Sequence, residues 1–114
     1  MHAHETLDEL SAQGRQLRDQ IPDVYRAYAQ ISAAALADGT LPKRFKELIA
    51  LAIAVTRECD GCIAAHARGA SLAGATSAEV AEAMGVAILM NGGPGTVWGP
   101  RAAAAFEEYA NTQP

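Results

Sequence analysis

The residues best suited to chemistry are Cys59, Cys62 and His66, which lie close together in the chain. Two cysteines spaced C-x-x-C can form one disulfide if Cys59 lies at a helix N-terminus and Cys62 in its first turn. Backbone N–H groups and the helix dipole stabilise a thiolate there, so one of the two thiols is expected to ionise readily. His66 follows Cys62 by four residues and would project from the same helix face, where its imidazole can accept the thiol proton. The spacing therefore predicts an activated sulfur nucleophile.

Glu47 is the fourth candidate site residue, because it leads directly into the apolar run of residues 48–55. A carboxylate in such surroundings must either reach solvent or find a buried hydrogen-bond partner, and His66 is the obvious candidate. A hydrogen bond between Glu47 and His66 would orient the ring and fix its tautomer, as the orienting acid does in a catalytic triad. In this triad the nucleophile would be a cysteine sulfur.

The length and composition favour one small helical domain. The chain has 114 residues, half of them apolar and 5% aromatic, which fits a single domain over residues 1–114. Alanine is the dominant apolar residue and favours helices. Because alanine side chains bury little area each, a lone subunit would be marginally stable, so we expect a homo-oligomer. A disulfide across so short a loop contributes little to stability, which favours chemistry over stapling for the cysteines.

The charge pattern bears on the partners. The net charge is −4, and the basic residues are scattered except for Lys43, Arg44 and Lys46, so nucleic acid is not an expected partner. Residues 48–55 form the longest apolar run, far shorter than the roughly 18 residues that cross a bilayer, and the N-terminus has no signal-peptide core. We therefore expect a cytoplasmic protein that does not bind membranes.

Periodicity and capping signals predict about six helices and no sheet. The predicted ranges are 6–20, 22–37, 42 to a break at 60 or 61, 62–72, 76–91 and 96–110. T-x-x-E capping boxes begin the first helix at Thr6 and the fifth at Thr76, which leaves His2 and His4 in a mobile N-terminus. Residues 92–95 are predicted to form a tight loop, and Pro100 to kink the last helix.

The third helix is predicted to lie at the centre of the domain. Its apolar residues after Phe45 surround the helix axis, which indicates burial on most sides. The β-branched residues in this run also fit a buried strand. However, no glycine or turn signal separates them from the helix-forming residues 43–47, and this favours a helix.

The spacing of the four candidate site residues resembles that in a known protein family. Glu47, eleven intervening residues and then Cys59-x-x-Cys62-x-x-x-His66 resemble the signature of AhpD-like alkylhydroperoxidases in the carboxymuconolactone decarboxylase family. The likeness extends over about residues 41–109, including the connection at 91–94 and the aromatic-Gly-Pro-Arg segment at 98–101. AhpD itself is a longer chain of two repeats and carries a second histidine between its cysteines, at the position of Gly61 here.

The resemblance implies an all-α, AhpD-like bundle that assembles into trimers or hexamers and acts as a thiol-dependent peroxidase or dithiol-disulfide oxidoreductase. By the same resemblance, Cys62 attacks a hydroperoxide to give a sulfenic acid, and Cys59 resolves it as a disulfide. Glu47 and His66 would relay the proton. A lipoyl or thioredoxin-like protein would serve as the dithiol electron donor, and no cofactor is expected.

Two other classes of function remain open. Cys59, Cys62, His66 and Glu47 could supply four zinc ligands to a non-catalytic oligomeric module. A structural zinc site normally uses sulfur and imidazole, however, and the chain has no second C-x-x-C or H-x-x-x-H pair, so no metal is expected. The second alternative is a decarboxylase or lactone-processing enzyme on the same scaffold, and such family members typically lack the cysteine pair. A thioredoxin fold is disfavoured because the βαβ pattern is missing.

Overall fold

The computed structural model describes residues 2–111, which form an all-α structure of six helices with no strand among them. In chain order, the helices are α1 (Ala3–Gln20), α2 (Pro22–Leu36), α3 (Lys43–Thr56), α4 (Asp60–Leu72), α5 (Ser77–Asn91) and α6 (Gly93–Ala110). The predicted fold class and number of helices are confirmed. Within residues 2–111, no helix combines the length and the apolar character that spanning a membrane requires.

Helix α4 lies between α1, α3 and α6, while α5 packs against α3 and α6. The alanines on the inner face of α4 are completely buried and allow neighbouring helices to approach closely: Ala64, Ala67 and Ala70. The largest fully buried side chains come from four different helices: Leu51, Val55, Ile63, Val80 and Phe106. The alanine-rich composition thus produces a close-packed bundle around the helix that carries Cys62 and His66.

Helix α2 lies outside this core. All its residues are described and none of them is buried, and its main contacts are with α1 and α3. Val24, Tyr28 and Ile31 leave an apolar face of α2 uncovered within the chain, with between 61% and 70% of each residue exposed. The predicted homo-oligomer would give this face a partner, and it stays a prediction.

The third helix differs from its prediction. Leu51, Ala54 and Val55 are buried, but Ile49 and Ile53 are about half exposed on the other side of α3, at 49% and 57%. Within the chain α3 is therefore buried on one side only. An all-round apolar pattern does not distinguish a fully buried helix from one with an exposed apolar face.

The start of α1 also differs from its prediction. The helix begins at Ala3 rather than Thr6, and no capping box forms at Thr6. The carboxylate of Glu108 on α6 instead accepts hydrogen bonds from the N–H groups of Ala3, at 2.9 Å, and His4, at 3.1 Å. It satisfies two of the unpaired N–H groups at the N-terminus of α1. His4 also pairs with Glu108 through its ring, so this residue belongs to the helix and not to a mobile terminus.

The two ends of α5 show one confirmed and one wrong prediction. The capping box at Thr76 is confirmed: its hydroxyl accepts the N–H of Glu79 at 3.1 Å, and the Glu79 carboxylate accepts the N–H of Thr76 at 2.9 Å. The predicted loop at 92–95 is wrong, because α6 already begins at Gly93. Gly92 alone turns the chain, with a φ of 66° in the left-handed region that glycine adopts without strain.

Candidate active site

The connection between α3 and α4 determines where the cysteines lie. Glu58 adopts a φ of 52°, in the left-handed region that residues other than glycine rarely occupy. The N–H of Cys59 then donates to the carbonyl of Ala54 at 3.2 Å. Helix α4 begins at the next residue, Asp60. The break in the helices thus falls just before Asp60 and not at Asp60 or Gly61 as predicted.

Cys59 and Cys62 form a disulfide at the start of α4, with their Cα atoms 5.2 Å apart. Cys59 is the N-cap residue, and its sulfur accepts the N–H of Cys62 at 3.2 Å. This arrangement confirms the predicted placement of Cys59 at the helix N-terminus and of Cys62 in its first turn. Cys62 is an exposed residue, whereas Cys59 is only partly exposed.

His66 and Glu47 are hydrogen-bonded across α3 and α4, as the sequence predicts. Nδ1 of His66 lies 2.9 Å from Oε1 of Glu47. Only 3% of Glu47 is exposed, so the hydrogen bond gives a buried carboxylate its partner. Because a carboxylate only accepts hydrogen bonds, Nδ1 carries the proton and Nε2 of a neutral ring keeps its lone pair. The ring is thereby prepared to accept a proton at Nε2.

The four predicted site residues therefore lie on two packed helices. Cys59 and Cys62 open α4, His66 follows one turn later on the face of Cys62, and Glu47 reaches His66 from α3. Among residues 2–111, no group of three or more His, Cys, Asp and Glu side chains is arranged to hold a metal ion.

Sequence reasoning missed the contact of Leu10 with the C-x-x-C segment. A β-carbon added to Gly61 would lie 2.6 Å from Cδ1 of Leu10, which belongs to α1. Leu10 therefore occupies the space into which a side chain at position 61 would extend, the position that carries a histidine in AhpD. No signal in the sequence pairs residues so far apart, because the contact depends on how α1 crosses α4.

Comparisons with known proteins agree with this architecture. The family model described as carboxymuconolactone decarboxylase family matches residues 22–108. The crystal structure of the apo form of a carboxymuconolactone decarboxylase family protein from Legionella pneumophila superimposes with a TM-score of 0.90. It is 34% identical in sequence, and the match covers 95% of this chain and 96% of that one.

Two curated relatives are similar in sequence over most of their length. An uncharacterized protein of Cupriavidus necator is 38% identical over 101 residues, which cover 89% of each chain. A protein of Paracoccus denitrificans, named uncharacterized protein 4 in the cox locus, is 36% identical over 106 residues. That match covers 93% of this chain and 89% of the relative.

Proposed function

Because the chain belongs to the carboxymuconolactone decarboxylase family, we propose that it is a thiol-dependent peroxidase, a dithiol-disulfide oxidoreductase that reduces hydroperoxides. One observation carries this proposal. The Cys59–Cys62 disulfide opens the same helix on which His66, one turn later, is held by the buried Glu47. A redox-active sulfur pair and an oriented base are thus combined in one element.

The first step consumes the peroxide. Nε2 of His66 takes the proton of the Cys62 thiol, and the resulting thiolate attacks the outer oxygen of the hydroperoxide. An S–O bond forms and the O–O bond breaks, so Cys62 becomes a sulfenic acid and an alkoxide leaves. The alkoxide takes the proton back from His66 and departs as the alcohol. Glu47 stabilises the imidazolium that exists between the two proton transfers.

The second step forms the disulfide. The Cys59 sulfur attacks the sulfenic sulfur of Cys62, an S–S bond replaces the S–O bond, and hydroxide leaves as water with the Cys59 proton. The reaction thus converts a hydroperoxide and two thiols into an alcohol, water and one disulfide. Its product is the pair found at the start of α4.

The last step returns the electrons. A dithiol donor, such as a lipoyl or thioredoxin-like protein, attacks the exposed Cys62 and releases Cys59 as a thiolate. The N–H of Cys62 that contacts the Cys59 sulfur supports this leaving group. The second thiol of the donor then completes the exchange and leaves the donor oxidised.

The test is hydroperoxide consumption by the purified protein with dihydrolipoamide as donor, in the wild type, Cys62→Ser and His66→Ala. We expect Cys62→Ser to be inactive and His66→Ala to lose about a hundredfold in rate, since a positioned acid-base group contributes about that much or more. His2→Ala serves as the matched histidine control and keeps the wild-type rate. Equal rates in all four proteins would remove the proposal.

Two further measurements separate the alternatives. A decarboxylase or lactone-processing enzyme would retain its activity in Cys62→Ser, because its reaction does not need the sulfur. A zinc-binding module would purify with about one zinc per chain, and chelation would lower its unfolding temperature. For the peroxidase, we expect no change of the unfolding temperature with a chelator.

A further inference from the structure

Gly69 lies one turn after His66 on α4. The space that a side chain at position 69 would occupy is taken by another residue. A β-carbon built on Gly69 would lie 1.3 Å from Oε2 of Glu47 and 2.5 Å from its carboxyl carbon. One carboxylate oxygen thus occupies nearly the place where any other residue at position 69 would carry its side chain. The other oxygen, Oε1, is the one that His66 contacts.

This geometry leaves no position for both an alanine and the observed carboxylate. To restore the 3.4 Å of ordinary van der Waals contact, Oε2 would have to move by about 2 Å from a β-carbon at position 69. A hydrogen bond of 2.9 Å weakens steeply under a displacement of that size. The carboxylate is the end of a flexible side chain, so it would move while the helices keep their places. The cost of an added methyl group therefore falls on the contact between Glu47 and His66.

A glycine at position 69 lowers the stability of α4 relative to alanine, so its presence calls for a structural reason. Gly69 lies inside α4 between helix-forming residues, Ala67 on one side and Ala70 on the other, both completely buried. A glycine inside a helix destabilises it relative to alanine, because the glycine backbone loses more conformational freedom on folding. Gly85, inside α5, has no neighbouring atom within 4 Å of an added β-carbon, so it provides the matched comparison.

We propose that Gly69 is a positioning residue, whose missing side chain provides the space from which the Glu47 carboxylate holds His66. Its kinetic consequence rests on the proposed peroxidase function, whereas its structural consequence does not. Gly69 touches neither substrate nor the reacting sulfur and acts only through Glu47.

A double-mutant cycle tests the proposal: Gly69→Ala, Glu47→Ala, the combination of both, and Gly85→Ala as control. We expect Gly69→Ala to lower kcat for hydroperoxide by about a hundredfold, as Glu47→Ala does, with KM little changed. The combined variant should be no slower than Glu47→Ala alone, because both changes remove the same contact. Gly85→Ala keeps the wild-type rate.

Thermal unfolding tests whether the Glu47 carboxylate and an added methyl group at position 69 compete for the same space. Gly69→Ala should lower the unfolding temperature in the wild type but raise it in the Glu47→Ala background, where the carboxylate is gone and the methyl group fills its space. Gly85→Ala should raise it in both backgrounds. A decrease of equal size with and without Glu47 would overturn the proposal.

The tautomer of His66, read from its ¹⁵N chemical shifts, is the direct readout. In the wild type the proton should reside on Nδ1, and in Gly69→Ala a mixture with the Nε2–H form should appear. An unchanged tautomer together with a wild-type rate would overturn the proposal. If the wild type does not consume hydroperoxide, the proposed function fails, while the tautomer and the unfolding cycle still decide the role of Gly69.

Discussion

Nδ1 of His66 on α4 lies 2.9 Å from Oε1 of Glu47 on α3, so an acid from the preceding helix holds the imidazole. His66 keeps about a quarter of its side chain exposed, while Glu47 is almost completely buried. The pair therefore has a fixed inner end and an accessible outer one. This arrangement suits the proposed role of His66 as a base for Cys62, one turn away on the same helix.

The charge of Glu47 is predicted to matter more than its shape. In Glu47→Gln the amide oxygen can still accept the Nδ1 proton, but it no longer stabilises the imidazolium that forms during proton transfer. We expect the alkylation rate of the reduced Cys62 and the hydroperoxide turnover both to fall by about a hundredfold. Glu82→Gln, an exposed change on α5, is the control. An unaltered alkylation rate in Glu47→Gln would contradict this role.

The two cysteines are predicted to fail in different ways. In Cys59→Ser, the reduced Cys62 should consume one equivalent of hydroperoxide and stop as a sulfenic acid, because no resolving thiol remains. Trapping with dimedone and intact-protein mass spectrometry would detect the adduct on Cys62. Cys62→Ser should show neither this stoichiometric consumption of hydroperoxide nor the adduct. If Cys62→Ser consumed one equivalent of hydroperoxide and Cys59→Ser did not, Cys59 would be the attacking cysteine and Cys62 the resolving one.

The contact between Leu10 and Gly61 predicts a change of sign in a stability cycle. Replacing a helical glycine by alanine normally stabilises by about 0.5 to 1 kcal/mol. At Gly61 the added β-carbon would lie 2.6 Å from Cδ1 of Leu10, which must rotate away. We therefore expect Gly61→Ala to be neutral or destabilising alone, but stabilising in a Leu10→Ala background. Urea unfolding of the oxidised protein measures both, and equal effects in the two backgrounds would show that Leu10 does not restrict this position.

The capping box at the start of α5 predicts a conventional cap effect. Thr76→Ala removes the hydroxyl that accepts the N–H of Glu79. The expected loss in the free energy of unfolding is about 1 kcal/mol, measured by urea unfolding. Thr40→Ala, an exposed change between α2 and α3, serves as the control and should leave the stability nearly unchanged. Hydroperoxide turnover should be the same in both variants.

The contact between His4 and Glu108 predicts a pH dependence of stability. Burial opposes the ionisation of Glu108. The hydrogen bonds from the His4 ring and from the N–H groups of His4 and Ala3 outweigh this effect and lower the pKa of Glu108 from 4.5 to about 2. The hydrogen bond to Glu108, opposed by burial, raises the pKa of His4 above 6.5.

The signs of these shifts define the window. Glu108 contributes stability that is fully present above pH 4.5 and is lost as the pH falls through about 2. His4 contributes stability that is fully present below pH 6.5 and is lost as the pH rises through its raised pKa. We expect the loss of unfolding free energy in His4→Ala, relative to the wild type, to be largest between pH 4.5 and pH 6.5. Urea unfolding across pH measures this loss. A deficit as large at pH 2 as at pH 6 would contradict the pairing.

The sequence by itself determined the parts of this protein that depend on one helix at a time. The spacing of Cys62 and His66 placed them on one face of α4, because the helical repeat is the same in every helix. The capping box at Thr76 was readable for the same local reason. One contact between helices was also predicted, the pairing of Glu47 with His66, because a carboxylate beside an apolar run must reach solvent or find a buried partner.

Only the tertiary structure decided the other contacts between helices. Glu108 caps α1 from the far end of the chain, Leu10 lies against Gly61, and Glu47 fills the space beside Gly69. Each depends on how two helices cross and how far apart they lie, which the packing of all the core side chains sets together. A glycine inside a helix is a local signal that something comes close to the backbone, but the fold alone identifies what it is.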